Sequence, residues 1–204
     1  IGDPKYGIGS NRGRVIIYKY NDISWNKMDI SGGTTQIENI ADWWGNGGYS
    51  ISLNSDGTVL AIGCHNHKTN NYITGKALIY KYYNNVWNSY WYVVGEQRWT
   101  GNDTGGARWA WQKLGTSLSL SSDGKTLAVG VPGWGDENGY HRKRGKVIVY
   151  NDNDTTFVED YVGTSGHNNG QFGHSVSLSS DGKWLVAGCA ALTFLHIYKK
   201  DING

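Results

Sequence analysis

The amino-acid sequence predicts an all-β protein, a β-propeller built of four-stranded antiparallel blades. Three observations lead to this prediction. A hairpin pattern with an Asp-Gly turn occurs three times, an apolar strand that ends in Tyr follows each copy, and no window has the 3.6-residue periodicity of an amphipathic helix. A sheet with apolar inner strands and a polar outermost strand is typical of a propeller blade.

Each hairpin begins with a strand in which Ser alternates with an aliphatic residue, which is the two-residue period of a β-strand. An Asp-Gly turn follows, because Gly accepts the positive φ of a tight reversal. The second strand is a short, continuous apolar run, and we expect the first and second strands to be covered on both faces. The three copies lie within residues 50–63, 117–130 and 170–188.

A third and a fourth strand complete each unit. The third strand consists of Gly, a basic residue, an apolar run and Tyr, and the fourth carries one large aromatic residue, Trp25, Trp87 or Phe157. Each unit therefore has four strands in about 60 residues. The chain, 1–204, is predicted to be a single propeller segment with units at 1–30 (partial), 47–92, 115–160 and 172–204 (partial).

The number of units is smaller than a closed ring requires. About three and a half blades are present, whereas propellers close with about 4–8 blades. We therefore expect the chain to be a segment of a longer propeller or to be completed by self-assembly or by other chains.

The composition restricts the class of partner. A net charge of +2 gives no indication of a nucleic acid partner, and no apolar run approaches the ~20 residues of a membrane span. Cys64 and Cys189 follow the second strand of two different units, which are too far apart for a disulfide, so we expect two small buried thiols. Their redox state is left open.

The repeated elements resemble the FG-GAP repeat, the blade of integrin-α-type propellers. The resemblance rests on FGHSVSL at 172–178, SDG at 180–182, LAVGVP at 127–132 and GKVIVY at 145–150. The Phe-Gly pair is intact in one unit only. A WD repeat, with units of about 40 residues, fits less well. The resemblance covers most of the chain and implies a surface-exposed binding protein.

No constellation of residues indicates catalysis, so we predict that the protein is not an enzyme and assign no catalytic residue. The acidic residues are scattered, and no Gly-x-Ser-x-Gly motif occurs. His65 and His67 have no third ligand nearby, so 65–67 is interpreted as a solvated loop and no metal ligand is assigned.

We expect no cofactor. Calcium is the alternative, because the FG-GAP resemblance implies a calcium loop in some repeats. Asp136, Glu137 and Asn138, and likewise Asp152 with Asp154, provide too few ligands for such a loop.

Aromatic residues in the connections between units are the candidate ligand-binding residues. Trp beside polar side chains suits a sugar ring and equally suits a protein interface. The alternative is that these residues pack between blades. The candidates are Trp43, Trp44, Trp109, Trp111 and Trp134. Asn102 and Asn153 begin N-glycosylation sequons.

Three functions follow from these patterns. The first is a non-enzymatic binding or adhesion module, extracellular or on a cell or particle surface, whose loops recognise protein or glycan. The second is a structural subunit of a fibre, coat or multiprotein complex. The third is a glycan-processing propeller enzyme, which a pair of carboxylates in the central funnel would support.

Replacing Leu178 with Asp tests the interpretation of the inner strands. The substitution places a charge in a strand predicted to be covered on both faces, so it should unfold its blade. Thermal unfolding followed by circular dichroism measures the effect. An unchanged melting curve would contradict the blade assignment.

Overall fold

The computed structural model describes residues 1–7, 9, 11–28, 37–38, 45–70, 72–96, 112–135, 144–164, 169–191 and 195–200. Every regular element in these residues is a β-strand, and the strands form successive antiparallel sheets. The predicted all-β class and its antiparallel propeller blades are therefore confirmed.

The first blade has the shortest strands. They are β1 (Gly2–Asp3), β2 (Arg14–Val15), β3 (Tyr18–Tyr20), β4 (Trp25–Lys27) and β5 (Ile37–Glu38). Strands β1, β2 and β5 form one sheet in that order, and β3 pairs with β4.

The second and third blades are four-stranded sheets in which consecutive strands are neighbours. The second blade contains β6 (Ser50–Leu53), β7 (Val59–Cys64), β10 (Lys76–Tyr83) and β11 (Val86–Val94), with a ribbon of β8 (Lys68–Thr69) and β9 (Tyr72–Ile73) between β7 and β10. The third blade contains β12 (Leu118–Leu120), β13 (Thr126–Val131), β14 (Lys146–Asp152) and β15 (Phe157–Thr164). The fourth blade contains β16 (Phe172–Leu178), β17 (Trp184–Cys189) and β18 (Leu195–Lys199).

Apolar side chains fill the spaces between neighbouring blades. Between the second and third blades, Ala61 and Ile79 of one sheet meet Leu118, Leu127 and Phe157 of the next, and all five are buried. Equivalent clusters join the first blade to the second and the third to the fourth. Since burial of one Leu or Phe side chain contributes about 1.5–3 kcal/mol, these clusters are the main source of stability.

Coverage on both faces is confirmed for β7 and β13 but is wrong for β17, and it is also wrong for the first strands β6 and β16, which are only partly covered. Every residue of β7 is buried, and so is every residue of β13 except Thr126. In β17, Leu185 and Ala187 are buried, whereas Trp184 and Val186 are exposed. Trp184 and Val186 lie on the face that a following blade covers in the other two sheets.

The two cysteines differ in burial. Both are free thiols, but Cys64 is buried while Cys189 is only half-buried. Burial raises the pKa of Cys64 to about 12, which makes its thiol unreactive at neutral pH. The prediction of a buried thiol is therefore correct for Cys64 and wrong for Cys189, which lies at the end of the half-covered β17.

Serine hydroxyls connect each inner strand to the next blade. Ser50 donates a hydrogen bond to the carbonyl oxygen of Gly115 at 2.8 Å, and Ser117 donates to that of Gly173 at 2.8 Å. Two residues further on, the hydroxyl of Ser52 accepts from the backbone N–H of Leu120 at 2.9 Å. The alternation of Ser with aliphatic residues is thus explained, because one face bonds the following blade and the other packs on the preceding one.

Glycine is required where the backbones of two blades touch. A Cβ at Gly130 would overlap the carbonyl oxygen of Gly173, and one at Gly63 would overlap that of Gly115. The same contact joins Gly2 to Gly48. Gly130 has an ordinary φ, so it is the space between the sheets, and not the backbone conformation, that excludes a side chain there.

The Asp-Gly turns of the hairpins are as predicted. In the third blade, Asp123 accepts hydrogen bonds from the Ser121 hydroxyl at 2.6 Å and from the Lys125 N–H at 2.9 Å. The first of these bonds is the main reason why the pKa of Asp123 is lowered. Neighbouring turns are also bonded, since the N–H of Ser122 donates to the carbonyl of Ser180 at 2.8 Å.

Replacing Gly130 with Ala should lower the free energy of unfolding by about 3 kcal/mol, because the added methyl group forces the third and fourth blades apart. Gly9 is the matched control. Its φ is +74° and a Cβ there meets no described atom within 4 Å, so Gly9→Ala should cost about 1 kcal/mol from strain alone. Urea unfolding measures both values, and equal losses would contradict the proposed contact.

Candidate functional site

The same tight turn lies at the start of the inner strand in three blades. Its first residue has a left-handed backbone, with φ of 54° at Asn46, 58° at Lys113 and 52° at Gln171. Three residues later an N–H donates back to that residue's carbonyl, at 3.2 Å in each blade. The residues that donate, at the start of each inner strand, are Tyr49, Thr116 and His174.

These three residues lie side by side at one end of the sheets. The bonds from Ser50 to Gly115 and from Ser117 to Gly173 join each turn to the next blade. Tyr49 and His174 are exposed, whereas Thr116 is buried and donates its hydroxyl to the Lys113 carbonyl at 2.7 Å. We refer to Tyr49, Thr116 and His174, with His65 and Lys113, as the mouth.

His65 is the most unusual residue of the mouth. It follows β7, so it lies at the end of the sheet where β6 begins, and its ring contacts the Tyr49 ring with 3.9 Å between centroids. Burial, and to a smaller extent the Lys113 ammonium, lower its pKa to about 4. The imidazole is therefore neutral at pH 7, and its Nδ1 atom is buried without a hydrogen-bond partner among the described residues.

The prediction of a solvated loop at 65–67 is wrong for His65. Only 8% of the residue is exposed, because it lies between Tyr49 of its own blade and the turn of the next one. Position 65 directly follows the buried β7 and corresponds to Pro132 after β13, which is buried as well.

Gln112, next to Lys113, is a second residue with a buried polar atom that has no hydrogen-bond partner among the described residues. It is buried, its backbone bonds Ile73 and Gly133, and its Nε2 atom has no hydrogen-bond partner in the described part of the chain. Buried polar atoms are normally paired, and those that are not often belong to functional sites. The sequence offered no signal for Gln112.

Of the predicted ligand-binding residues, only Trp134 belongs to the described residues. It is half-buried against the core between the second and third blades, and Lys146 lies 5.9 Å from its ring centroid. Lys146 in turn forms an ion pair with Glu96 at 3.5 Å. Trp134 therefore packs between blades, which was the alternative to ligand binding for the aromatic residues of the connections. The others, Trp43, Trp44, Trp109 and Trp111, lie outside the described residues.

Asp152 belongs to a charged cluster distant from the mouth, between the outer strands of the second and third blades. One carboxylate oxygen accepts from Lys81 at 2.6 Å and the other from Tyr90 at 3.0 Å. Asp154, its partner in the calcium alternative, pairs with Lys125 at 3.1 Å. The acidic residues at 136–138 lie outside the described residues.

Other predicted features concern metal ligands, membrane spans and glycosylation in the described ranges. No three His, Cys, Asp or Glu side chains are grouped there as metal ligands would be. No helix long and apolar enough to cross a membrane occurs in them. Asn153 lies in an exposed turn, where its side chain accepts from the N–H of Thr155 at 3.1 Å, and Asn102 lies outside these ranges. Glycosylation and a surface location stay predictions.

Two solved β-propeller structures share the fold of this chain. A candidate 6-phosphogluconolactonase from Bacteroides fragilis matches 92% of this chain with 15% identity and a TM-score of 0.57. A second one, from Bacteroides uniformis, matches 93% of it with 13% identity and a TM-score of 0.55. The chain spans about 45% of each of these structures. No protein-family model and no curated protein matches the sequence.

These findings correct two predictions. The FG-GAP assignment is wrong, because these two solved propellers are described as candidate 6-phosphogluconolactonases and no family model matches the sequence. The prediction of a non-enzymatic, integrin-like adhesion module is wrong as well, since those propellers are described as enzymes. At 13–15% identity the likeness shows the fold alone.

The low pKa of His65 makes folding sensitive to acid. The unfolded chain binds a proton on His65 near pH 6.5, whereas the folded chain does so only near pH 4, so this contribution to stability is complete above pH 6.5 and is lost as the pH falls towards 4. His65→Gln cannot titrate. The wild type should therefore lose more stability than this variant between pH 7 and pH 4.5 in urea unfolding. Equal losses would show that His65 is not desolvated.

Proposed function

We propose that this chain forms part of the active surface of a propeller hydrolase that opens sugar lactones. The observation that carries the proposal is the buried His65, whose ring contacts the ring of the exposed Tyr49 with 3.9 Å between centroids, and whose pKa is lowered by burial and by the Lys113 ammonium. The likeness of the fold to candidate 6-phosphogluconolactonases supports the choice of substrate class. The chain spans about 45% of those structures, so the rest of the ring would supply further groups.

A lactone is a cyclic ester, and its hydrolysis needs three things from a protein. A base must accept a proton from the attacking water, a donor must stabilise the negative oxygen that forms on the carbonyl, and the ring oxygen must receive a proton when its bond to the carbonyl carbon breaks. The product is an open hydroxy acid, so no oxidant or reductant is consumed.

The mouth contains a candidate for each role. Neutral His65 can accept a hydrogen bond from water, and Lys113 carries a positive charge close enough to lower the pKa of His65. The positive charge of Lys113 would also stabilise the negative charge that develops on the carbonyl oxygen of a lactone bound beside His65. Tyr49 is exposed beside His65 and can donate its hydroxyl proton to the ring oxygen. His174, exposed on the fourth blade, is the alternative base.

The phosphate of a phosphorylated substrate would also find positive charge at this end of the sheets. Lys113 and the buried Lys146 both lie there, and Lys146 forms an ion pair with the partly exposed carboxylate of Glu96. We therefore expect a phosphorylated sugar lactone to be preferred over its neutral counterpart.

The test is the hydrolysis of D-glucono-δ-lactone and of its 6-phosphate at pH 7, followed by the acid released. We expect a saturable rate above the uncatalysed one, with the higher kcat/KM for the phosphate. Lys113→Asn removes the charge and keeps a residue that tolerates the left-handed turn, as Asn46 does in the second blade. This variant and His65→Gln should each lower kcat/KM at least about tenfold.

Lys183→Ala is the control, because Lys183 is an exposed residue of an Asp-Gly turn at the other end of the sheets. It should leave the rate unchanged. The proposal is overturned if neither lactone is hydrolysed faster than in buffer, or if the two mouth variants are as active as the wild type.

A further inference from the structure

A cavity of about 500 Å³ lies between the first and second blades. Its lining is mostly apolar and includes Ile1, Ile17, Ile51, Leu53 and Leu60. In the second and third blades the corresponding place is occupied by the inner hairpins, β6–β7 and β12–β13. The cavity thus has the position of an inner hairpin of the first blade.

The second blade shows the effect of this cavity in its innermost strand. Ile51 and Leu53 are 40% and 51% exposed, whereas their equivalents in the third blade, Leu118 and Leu120, are 9% and 8% exposed. Leu118 and Leu120 are buried because they pack against β7 of the preceding blade. Ile51 and Leu53 point in the same direction but face the cavity.

The first blade also has an open strand edge beside the cavity. In the second blade, β7 pairs with β10 along six residues, from Lys76 to Lys81. In the first blade the equivalent pairing joins Gly2 and Asp3 to β2, and Ile1 bonds Ile16 in both directions at 2.9 Å. Residues 17–19 have no such partner on this side within the described chain.

The backbone N–H of Tyr20, the next donor along this edge, also differs from its equivalents in the other blades. Tyr82, Asp152 and Lys200 hold one equivalent position in three blades, and each donates its N–H across the sheet, at 2.7, 2.7 and 2.8 Å, to a carbonyl just before the second strand. Tyr20 holds this position in the first blade, and no equivalent acceptor lies among the described residues. An extended strand, and not a compact ligand, satisfies a row of such groups.

We propose that the cavity binds a two-stranded hairpin with the pattern of this chain's own inner hairpins. Its second strand would pair with residues 17–19 and bring an apolar residue followed by a small one, as Leu60-Ala61 and Leu127-Ala128 do. The serines of its first strand would bond the Gly48 carbonyl and the Leu53 N–H. These bonds would repeat those that Ser50 and Ser52 make to Gly115 and Leu120.

A second copy of the chain does not offer such a hairpin. All three inner hairpins of the described chain are already paired with a third strand, β10, β14 or β18. A docked copy would instead cover the exposed Trp25, since Trp87 and Phe157 at the equivalent position are buried against the preceding blade.

The experiment supplies the hairpin as a synthetic peptide with the sequence of residues 117–130, SLSLSSDGKTLAVG. We expect saturable binding to the full chain by calorimetry and at least about tenfold slower amide exchange at residues 17–20. A peptide with Asp in place of the Leu and Ala at its positions 127 and 128 should not bind. Leu53→Asp in the chain should weaken binding at least about tenfold, whereas Val158→Asp, an equally exposed residue of β15, should not.

A fusion keeps the proposal testable even if the free peptide aggregates. Ile1 corresponds to Val129, so residues 117–128 can be joined directly to Ile1 in register. The fusion should raise the melting temperature by roughly 5 °C or more, and the Asp-substituted fusion should not. The proposal fails if neither the peptide nor the fusion has an effect. It also fails if light scattering and quenching of Trp25 show that a second copy covers the cavity.

Discussion

The contact of backbone with backbone between neighbouring blades is the constraint on which the rest of the structure depends. At Gly63 and Gly115, and again at Gly130 and Gly173, two sheets approach so closely that no side chain fits between them. This spacing places the serine hydroxyls of each inner strand within 2.8 Å of the next blade's carbonyl oxygen. The apolar clusters then fill the wider outer part of each junction, and the blades must splay outward from their inner strands.

The position of the candidate site follows from the same contact. The turn that carries the contacting glycine ends at Tyr49, Thr116 or His174. The backbone is the same in the three blades, while the side chains at this position differ. The framework fixes where side chains project, and the chemistry depends on which residues occupy those positions. His65 and Lys113 illustrate this, because two blades combine to lower one pKa.

The sequence was sufficient to predict the hairpins, their Asp-Gly turns and the four-stranded unit, since these depend on local periodicity and turn chemistry. It was misleading about the family. The Gly, Ser and Asp-Gly signals that resemble FG-GAP repeats are those that blade contacts require, as the bonds of Ser117 and Asp123 show, so they identify a blade and not a lineage. The burial of His65 could not be predicted from the neighbouring residues alone, because it depends on Tyr49 and on the turn of another blade. The exposure of Trp184 likewise depends on what lies opposite β17, and not on the sequence of β17.

Stability must therefore vary along the chain even though the units are alike. A blade gains from burial on each side, so its stability is close to a sum of its own sheet and its two junctions. The third blade has both junctions complete, with Leu127, Ala128, Val129 and Val147 all fully buried. The first blade has short strands, an exposed Trp25 and, among the described residues, no partner strand beside residues 17–19. Local opening should consequently begin in the first blade and reach the third blade last. When one blade opens, the adjacent blade loses the apolar junction that the two blades share.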